Sequence, residues 1–330
     1  MESLQPVARI GLVLHPRRTP AAAVARIAAW TGAHGVQLVA TAEDVARVDV
    51  AGVTAVPPDE LARSCDGLIA LAGDGTLLGA MRTVVERPVP VLGVNLGRLG
   101  FLAEVEGPEL GGALEALAEG RLHIESRPCL VVRSGERDDV AFNDVVLARV
   151  PGAGMVEATL AVAGQPYGHY RCDALILASP MGSTAYSYAA GGPVVSPSVA
   201  GVLVTPSAPV SGIARSLVLG PAETLTLEIT GGHPAVELDG VLSGELGPGA
   251  VLEVSLRPDA GRLVRIEGSR AAARSRVKLS LVDLPVLPHE LVELLPDDVR
   301  RRLDAAAEGP GESTTGRAAA GCTPPGSGRR

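Results

Sequence analysis

The chain has 330 residues, 46% of them hydrophobic and 2% aromatic, with a formal net charge of −8. That length buries a sizeable core and suggests two domains, while the acidic balance argues against nucleic acid or an anionic membrane as the main partner. Lys278 is the sole lysine, which excludes phosphate-binding motifs that need a lysine after a glycine.

In chain order, the apolar run at 9–14 reads as a strand, the alanine-rich stretch from Thr19 to Gly32 as a helix, and 36–40 as a second strand. Residues 67–72 form an apolar strand that runs into a glycine turn, and a helix is expected from Thr76 to Val85. Another strand opens at Pro90 and ends in a second glycine turn, and Leu110 to Glu119 reads as a helix. Strands alternating with helices imply a parallel sheet covered on both faces.

The pattern changes near Arg121. Short β-type runs follow at 129–133, 140–148, 156–163, 201–205, 216–219, 224–230, 251–256, 262–267 and 276–282, with one helix expected to start near Ser183. The expected fold class is therefore an N-terminal parallel-sheet α/β domain followed by a C-terminal mostly-β domain. Its divisions are 1–121 for the α/β domain, 122–285 for the β-rich domain, 286–304 for short helical pieces, and 305–330 for a Gly/Pro/Ser-rich tail read as disordered.

The four cysteines, Cys65, Cys129, Cys172 and Cys322, form no CxxC pair and have no histidine cluster beside them. Zinc is not expected, and scattered thiols fit a reducing cytoplasm. The amino terminus carries no leader pattern, and no apolar run is long enough to span a membrane. No Ser-His-Asp order or HExxH run supports a hydrolase.

Three runs carry chemistry. In the first, Gly73-Asp74-Gly75-Thr76 sits where a strand gives way to a helix. The glycines allow a sharp turn and close backbone approach, and the first amides of the helix face an anion. Asp74 at that point is placed to accept a proton from an attacking hydroxyl or to hold Mg²⁺. By itself the tripeptide more often marks an ordinary capped turn, and its GxGxxxG spacing is wrong for a dinucleotide fingerprint. In the second run, Asn143 and Asp144 precede an apolar strand. Such side chains grip ribose hydroxyls or a base edge, although the pair also suits a plain turn. The third and strongest run extends from Tyr170 to Pro193. An apolar strand ends in Met181-Gly182-Ser183-Thr184-Ala185-Tyr186, followed by Gly191-Gly192-Pro193. Ser183 is a candidate helix cap and Tyr186 a stacking platform.

Together these runs resemble the NAD kinase family. The run Gly93-Val94-Asn95-Leu96-Gly97 through Phe101 to Glu104, the pairs Thr205-Pro206 and Ala208-Pro209, and Asp239-Gly240 match it as well. The resemblance covers about Arg9 to Val282. It implies phosphoryl transfer from ATP, or polyphosphate in some members, to the 2′-hydroxyl of the adenosine ribose of NAD, giving NADP. It also implies Mg²⁺ and a homo-oligomer, dimer or tetramer, whose sites take residues from a neighbouring subunit. Asp74 is then the proton acceptor, with Gly73, Gly75 and Thr76 forming the phosphate loop. Asp74, Gly75, Asn143, Asp144, Arg171, Asp173, Thr184, Ala185, Tyr186, Ser187, Ala189 and Ala208 contact NAD. A cytoplasmic protein with neither nucleic acid nor membrane as partner is expected.

The sequence departs from the family pattern at Ala72, Met181, Cys172, Ala189, Val210 and Val241. Ala72, Met181 and Val210 motivate one alternative, a non-catalytic dinucleotide-binding paralogue. The shared Gly-Asp-Gly turn motivates another, a lipid or sugar kinase. The acidic chain shows none of the basic or apolar surface that a lipid kinase needs.

Overall fold

In this computed structural model, the described residues are 7–96 and 102–267. The first strand, β1 (Arg9–Leu14), is apolar almost throughout, as a strand buried on both faces requires. Helix α1 (Ala21–Ala33) buries Val24, Ile27 and Thr31, a spacing of three and four residues that lies along one helical face. Next come β2 (Gln37–Thr41), α2 (Ala42–Val48), β3 (Val53–Val56) and α3 (Pro58–Ser64). Two local signals set these short helices. The Thr41 hydroxyl accepts the Asp44 amide as a cap of α2, and Pro58 occupies the first position of α3. The units α2, β3 and α3 fall in a stretch for which the sequence reading proposed no element.

Strand β4 (Gly67–Leu71), helix α4 (Asp74–Thr83) and strand β5 (Pro90–Asn95) follow as expected, except that α4 begins two residues early, at Asp74 itself. After the two-residue β6 (Val105–Glu106), helix α5 (Leu110–Ala118) closes the first part of the chain. The order β3–β2–β1–β4–β5 is parallel throughout. One face packs on α1 and α5 through Leu12, Ile27, Leu71, Leu92, Leu110 and Leu114. The other packs on α3 and α4 through Leu61, Leu68, Leu77 and Met81.

From Leu122 the chain is almost all strand: β7 (Leu122–Ser134), β8 (Arg137–Ala141), β9 (Asp144–Ala148), β10 (Val156–Val162), β11 (Gln165–Cys172) and β12 (Ala174–Ala178). A 3-10 turn (Met181–Thr184) and the one-turn helix α6 (Tyr186–Ala189) interrupt the series. It resumes with β13 (Val202–Ser207), β14 (Ser211–Gly212), β15 (Leu217–Leu219), β16 (Leu225–Gly231), β17 (Ala235–Leu238), β18 (Val241–Glu245) and β19 (Val251–Ile266). Six of these strands form an antiparallel sheet in the order β15–β13–β12–β9–β17–β18. Its inner face meets β10, β11 and β16 over a core of Leu130, Leu147, Leu160, Leu175, Leu227 and their neighbours.

Two differences from the sequence reading matter for the site. The run 140–148 is not one strand. It breaks at Phe142-Asn143, so both residues sit in a corner between β8 and β9. The runs 251–256 and 262–267 are one strand, β19, bent by an irregularity between Arg257 and Gly261. Before the bend β19 pairs with β16, and after it Arg262 and Leu263 pair in parallel with Pro90 and Val91 of β5. The bend therefore carries the last strand of the β-rich part into the sheet of the α/β part. A side chain at Gly261 would collide with Met81 and Phe142, which close over it. The elements expected at 276–282 and 288–304, and the tail from Ala305, lie outside the described residues.

Candidate active site

Asp74 is the first residue of α4, immediately after the carboxyl end of β4 and the turn Ala72-Gly73. The helix cap is Gly73, and Asp74 makes no side-chain cap. Its Oδ1 instead accepts the backbone amide of Leu102 at 3.0 Å. The carboxylate is thus fixed at a helix amino end, where the dipole favours anions. Gly75 and Thr76 continue the same first turn, with the Thr76 amide donating to the Gly73 carbonyl at 3.1 Å. Arg98, whose charge could neutralise a phosphate, lies outside the described residues.

The Asn143 corner is built by close approach. Asn143 gives its carbonyl to the Ser179 amide at 2.9 Å, and the Ser179 hydroxyl donates to the Phe142 carbonyl at 2.5 Å. A side chain at Gly182 would overlap the Asn143 carbonyl, so only glycine lets the 3-10 turn lie against the corner. The amide side chain of Asn143 keeps its Oδ1 buried with no hydrogen-bond partner. A buried acceptor left unsatisfied costs about 1–3 kcal/mol, and a ligand donor would recover it.

Asp144 is 4% exposed and takes a hydrogen bond from the backbone amide of Tyr186. Burial pushes its carboxyl up to about 7, and the charges of Asp239 and Glu237 push the same way. The Tyr186 amide pulls against them. Met181, Phe142, Leu77, Leu78 and Leu102 share one buried cluster, so the corner, the 3-10 turn and the start of α4 pack together.

Tyr186, at 43% exposure, stands out of this wall as a flat apolar surface. Ser187 is buried beneath it, its hydroxyl 3.0 Å from that of Thr205, and that contact leaves room only for glycine at 192. The expected cap at Ser183 is not formed. Its hydroxyl donates to the Pro180 carbonyl at 2.7 Å and accepts the Val195 amide at 3.1 Å, pinning the loop after α6 instead. The reason is geometric: the turn is 3-10 up to Thr184 and α6 starts only at Tyr186, so Ser183 is inside a turn and not ahead of a helix.

The structure thus brings Asn143, Asp144, Thr184, Ala185, Tyr186, Ser187 and Ala189 together at one end of β12. It places Arg171, Asp173 and Ala208 at the other end. Asp173 and Ala178 bracket the strand, about 16 Å apart at roughly 3.3 Å per residue. Arg171 pairs with Glu157 at 2.9 Å and Asp173 with Arg149 at 2.8 Å, all half-exposed. Ala208 holds a left-handed backbone (φ 48°) beside them, and the Val210 amide donates to the Arg171 carbonyl.

The sequence reading gave two residues no role. Asp239 has a side chain that is 1% exposed. Its carboxylate accepts the amides of Phe142, Asn143 and Asp144 at 3.1, 2.7 and 3.3 Å, and Arg82 of α4 at 2.8 Å. Asp239 and Gly240 form the two-residue hairpin turn between β17 and β18 (φ 51° and 75°). A turn residue gives no sign that its side chain points inward.

Two family models match the chain. The ATP-NAD kinase N-terminal domain covers residues 10–122, and the ATP-NAD kinase C-terminal domain covers 142–266. The chain belongs to the NAD kinase family. Members of the NAD kinase family are phosphotransferases, and the curated relatives agree. NAD kinase 1 of Streptomyces avermitilis is 35% identical over 84% of this chain and 89% of its own length. The NAD kinase of Symbiobacterium thermophilum is 41% identical over 65% of this chain and 78% of its own. Among solved structures, a yeast NADH kinase complexed with NADH superposes with a TM-score of 0.76 at 22% identity, covering 86% of this chain and 90% of that one. An Archaeoglobus fulgidus NAD kinase in complex with ATP gives 0.64 at 22%, covering 83% and 98%. At that identity both show the shared fold.

Proposed function

We propose that this member of the family transfers the terminal phosphoryl group of ATP to the 2′-hydroxyl of the adenosine ribose of NAD, giving NADP. The observation that carries this reading is the placement of Asp74. It is a carboxylate held at the amino end of α4, in the same packed cluster as the corner that presents the unpartnered Oδ1 of Asn143. Asp74 takes the hydroxyl proton as the ribose oxygen attacks. Asn143 and Asp144 hold the adenosine part, and Thr184, Ala185, Tyr186, Ser187 and Ala189 line the same pocket. Gly73, Gly75 and Thr76 face the phosphates. Phosphoryl transfer asks the protein chiefly for positioning and charge stabilisation, and this arrangement offers both.

Mg²⁺ belongs to this reading as a companion of ATP. Among the described residues no cluster of three His, Cys, Asp or Glu side chains would hold a metal unaided. The fit is nonetheless sound, because Mg²⁺ commonly binds one or two carboxylates plus substrate phosphates, and Asp74 supplies one carboxylate. Bound there, the ion neutralises charge on the phosphates.

A homo-oligomer also belongs to it. Arg171, Asp173 and Ala208 stand a strand's length from Asn143 within one protomer, and in this reading a second copy presents them to NAD. Among the described residues no helix is long and apolar enough to cross a membrane, and we place the protein in the cytoplasm. Of the departures from the family pattern, Met181 packs in the core beside Leu77 and Phe142, which does not favour a non-catalytic paralogue, while Val210 and Val241 are exposed.

The test is direct. Protein is incubated with ATP, Mg²⁺ and NAD, and NADP is read through an NADP-specific dehydrogenase. NADP formed by the wild type and not by Asp74→Ala is the expected result. Absence of NADP with folded wild type, with polyphosphate also tried as donor, would overturn the reading.

A further inference from the structure

We propose that Asp239 is a positioning residue for NAD, holding the Asn143 corner in its binding conformation and tied by Arg82 to the helix that begins at Asp74. The inference rests on the reading that Asn143 and Asp144 hold the adenosine part of NAD.

The geometry is that of a carboxylate filling a nest of amides. Three successive backbone N–H groups, from Phe142, Asn143 and Asp144, converge on the two oxygens of one side chain. The corner returns the contact, for the Asp239 amide donates to the Asp144 carbonyl at 2.9 Å. Such a nest is an anion site, and here the anion belongs to the chain itself. The three amides fall at the corner where the chain leaves β8 in one sheet and enters β9 in the other, and the Asp239 carboxylate serves them there. Without the carboxylate they would be donors in the protein interior with no acceptor, and the corner would relax toward other turns. Asn143 cannot aim its own side chain, since its Oδ1 has no partner in the protein. The backbone beneath it sets the direction, and Asp239 sets the backbone.

Arg82 supplies the second half. Its Nη1 donates to Asp239 Oδ2 at 2.8 Å and to the Leu238 carbonyl at 3.2 Å. Arg82 lies eight residues after Asp74 on α4, about 12 Å along the axis at roughly 1.5 Å per residue. One rigid helix therefore carries the proton acceptor at one end and the clamp on the adenosine corner at the other.

Three variants test this: Asp239→Asn, which keeps the shape and one acceptor oxygen, Arg82→Gln, and Asn143→Ala as the reference for the site. Each is melted to confirm folding, and KM is measured separately for NAD and ATP. The expected result for Asp239→Asn is KM for NAD up about ten-fold, because the oxygen replaced by an amide nitrogen no longer accepts its two donors, with KM for ATP unchanged. Arg82→Gln is expected to raise KM for NAD about three-fold, as a partly exposed ion pair allows. Should Asp239→Asn fail to fold, Arg82→Gln decides alone. A raised KM for NAD in Asn143→Ala with none in the folded Asp239 or Arg82 variants overturns the positioning role and leaves the site reading standing. No change in any of the three overturns both. Equal rises for NAD and ATP, accompanied by a lower melting temperature, mean a merely structural part and overturn the proposal as well.

Discussion

Asp74 and Leu102 are joined by a single bond: the carboxylate Oδ1 accepts the Leu102 amide at 3.0 Å. The bond matters because Leu102 lies between β5 and β6 in the chain, so the carboxylate at the end of one parallel strand is anchored to chain that comes after the next. The bond fixes the direction of the carboxylate at the start of α4.

That bond makes Asp74→Asn the informative variant. The amide oxygen still accepts from Leu102, so the loop stays in place, while proton acceptance is lost. We expect kcat to fall roughly 10²–10⁴-fold, with the melting temperature and NAD binding retained. Steady-state assay and a binding titration on one preparation check this.

The raised Asp144 carboxyl predicts a pH-dependent stability. Its ordinary value is 3.8 and its folded value about 7. Between these the unfolded chain has lost the proton and the folded chain keeps it, so stability falls as pH rises from about 4 to about 7 and is level above. From pH 5 to pH 8 the loss is roughly 3 kcal/mol. Denaturant midpoints at the two pH values, compared between wild type and Asp144→Asn, read it out; the variant lacks this slope.

Gly182→Ala places a methyl into the Asn143 carbonyl, which is backbone and has nowhere to move. The expected cost is about 1–3 kcal/mol, with a raised KM for NAD because the corner shifts. A thermal melt and a KM determination measure the two effects.

Glu104 is 2% exposed and binds Arg265 at 2.9 Å and the Ile266 amide at 3.0 Å, fastening the chain before β6 to the far end of β19. Glu104→Ala leaves a buried amide without its acceptor and a guanidinium still held by Glu125 and the Leu102 carbonyl. The unsatisfied buried amide costs about 1–3 kcal/mol, so the midpoint of denaturation should drop below that of the wild type.

Asp173 pairs with Arg149 at the surface, a contact worth about 0–1 kcal/mol. Asp173→Ala should leave stability unchanged and raise KM for NAD if a second copy presents this residue. Mixing Asp74→Ala with Asp173→Ala subunits by co-expression should then give activity above that of either alone, since hybrid sites recover both wild-type residues. Additive activity in the mixture would place the whole site in one protomer.

The sequence alone determined the division into a helix-covered parallel sheet and a β-rich part. Strand period, helix period and glycine turns are local properties that survive without knowledge of neighbours. It also singled out Asp74, Asn143, Asp144 and the Gly182 to Pro193 loop as the runs proposed to carry chemistry, because short polar residues between glycines and apolar strands are visible in order along the chain. Only the tertiary structure decided what depends on residues far apart in the chain. The bend that joins β19 to β5 needs a partner strand some 170 positions away. The separation of Arg171 and Asp173 from Asn143 follows from the direction of β12, which spacing does not fix. Asp239 and Arg82 meet across 157 positions. Nothing local distinguishes an inward carboxylate in a hairpin turn from an ordinary one, since its importance lies wholly in the three amides it finds there.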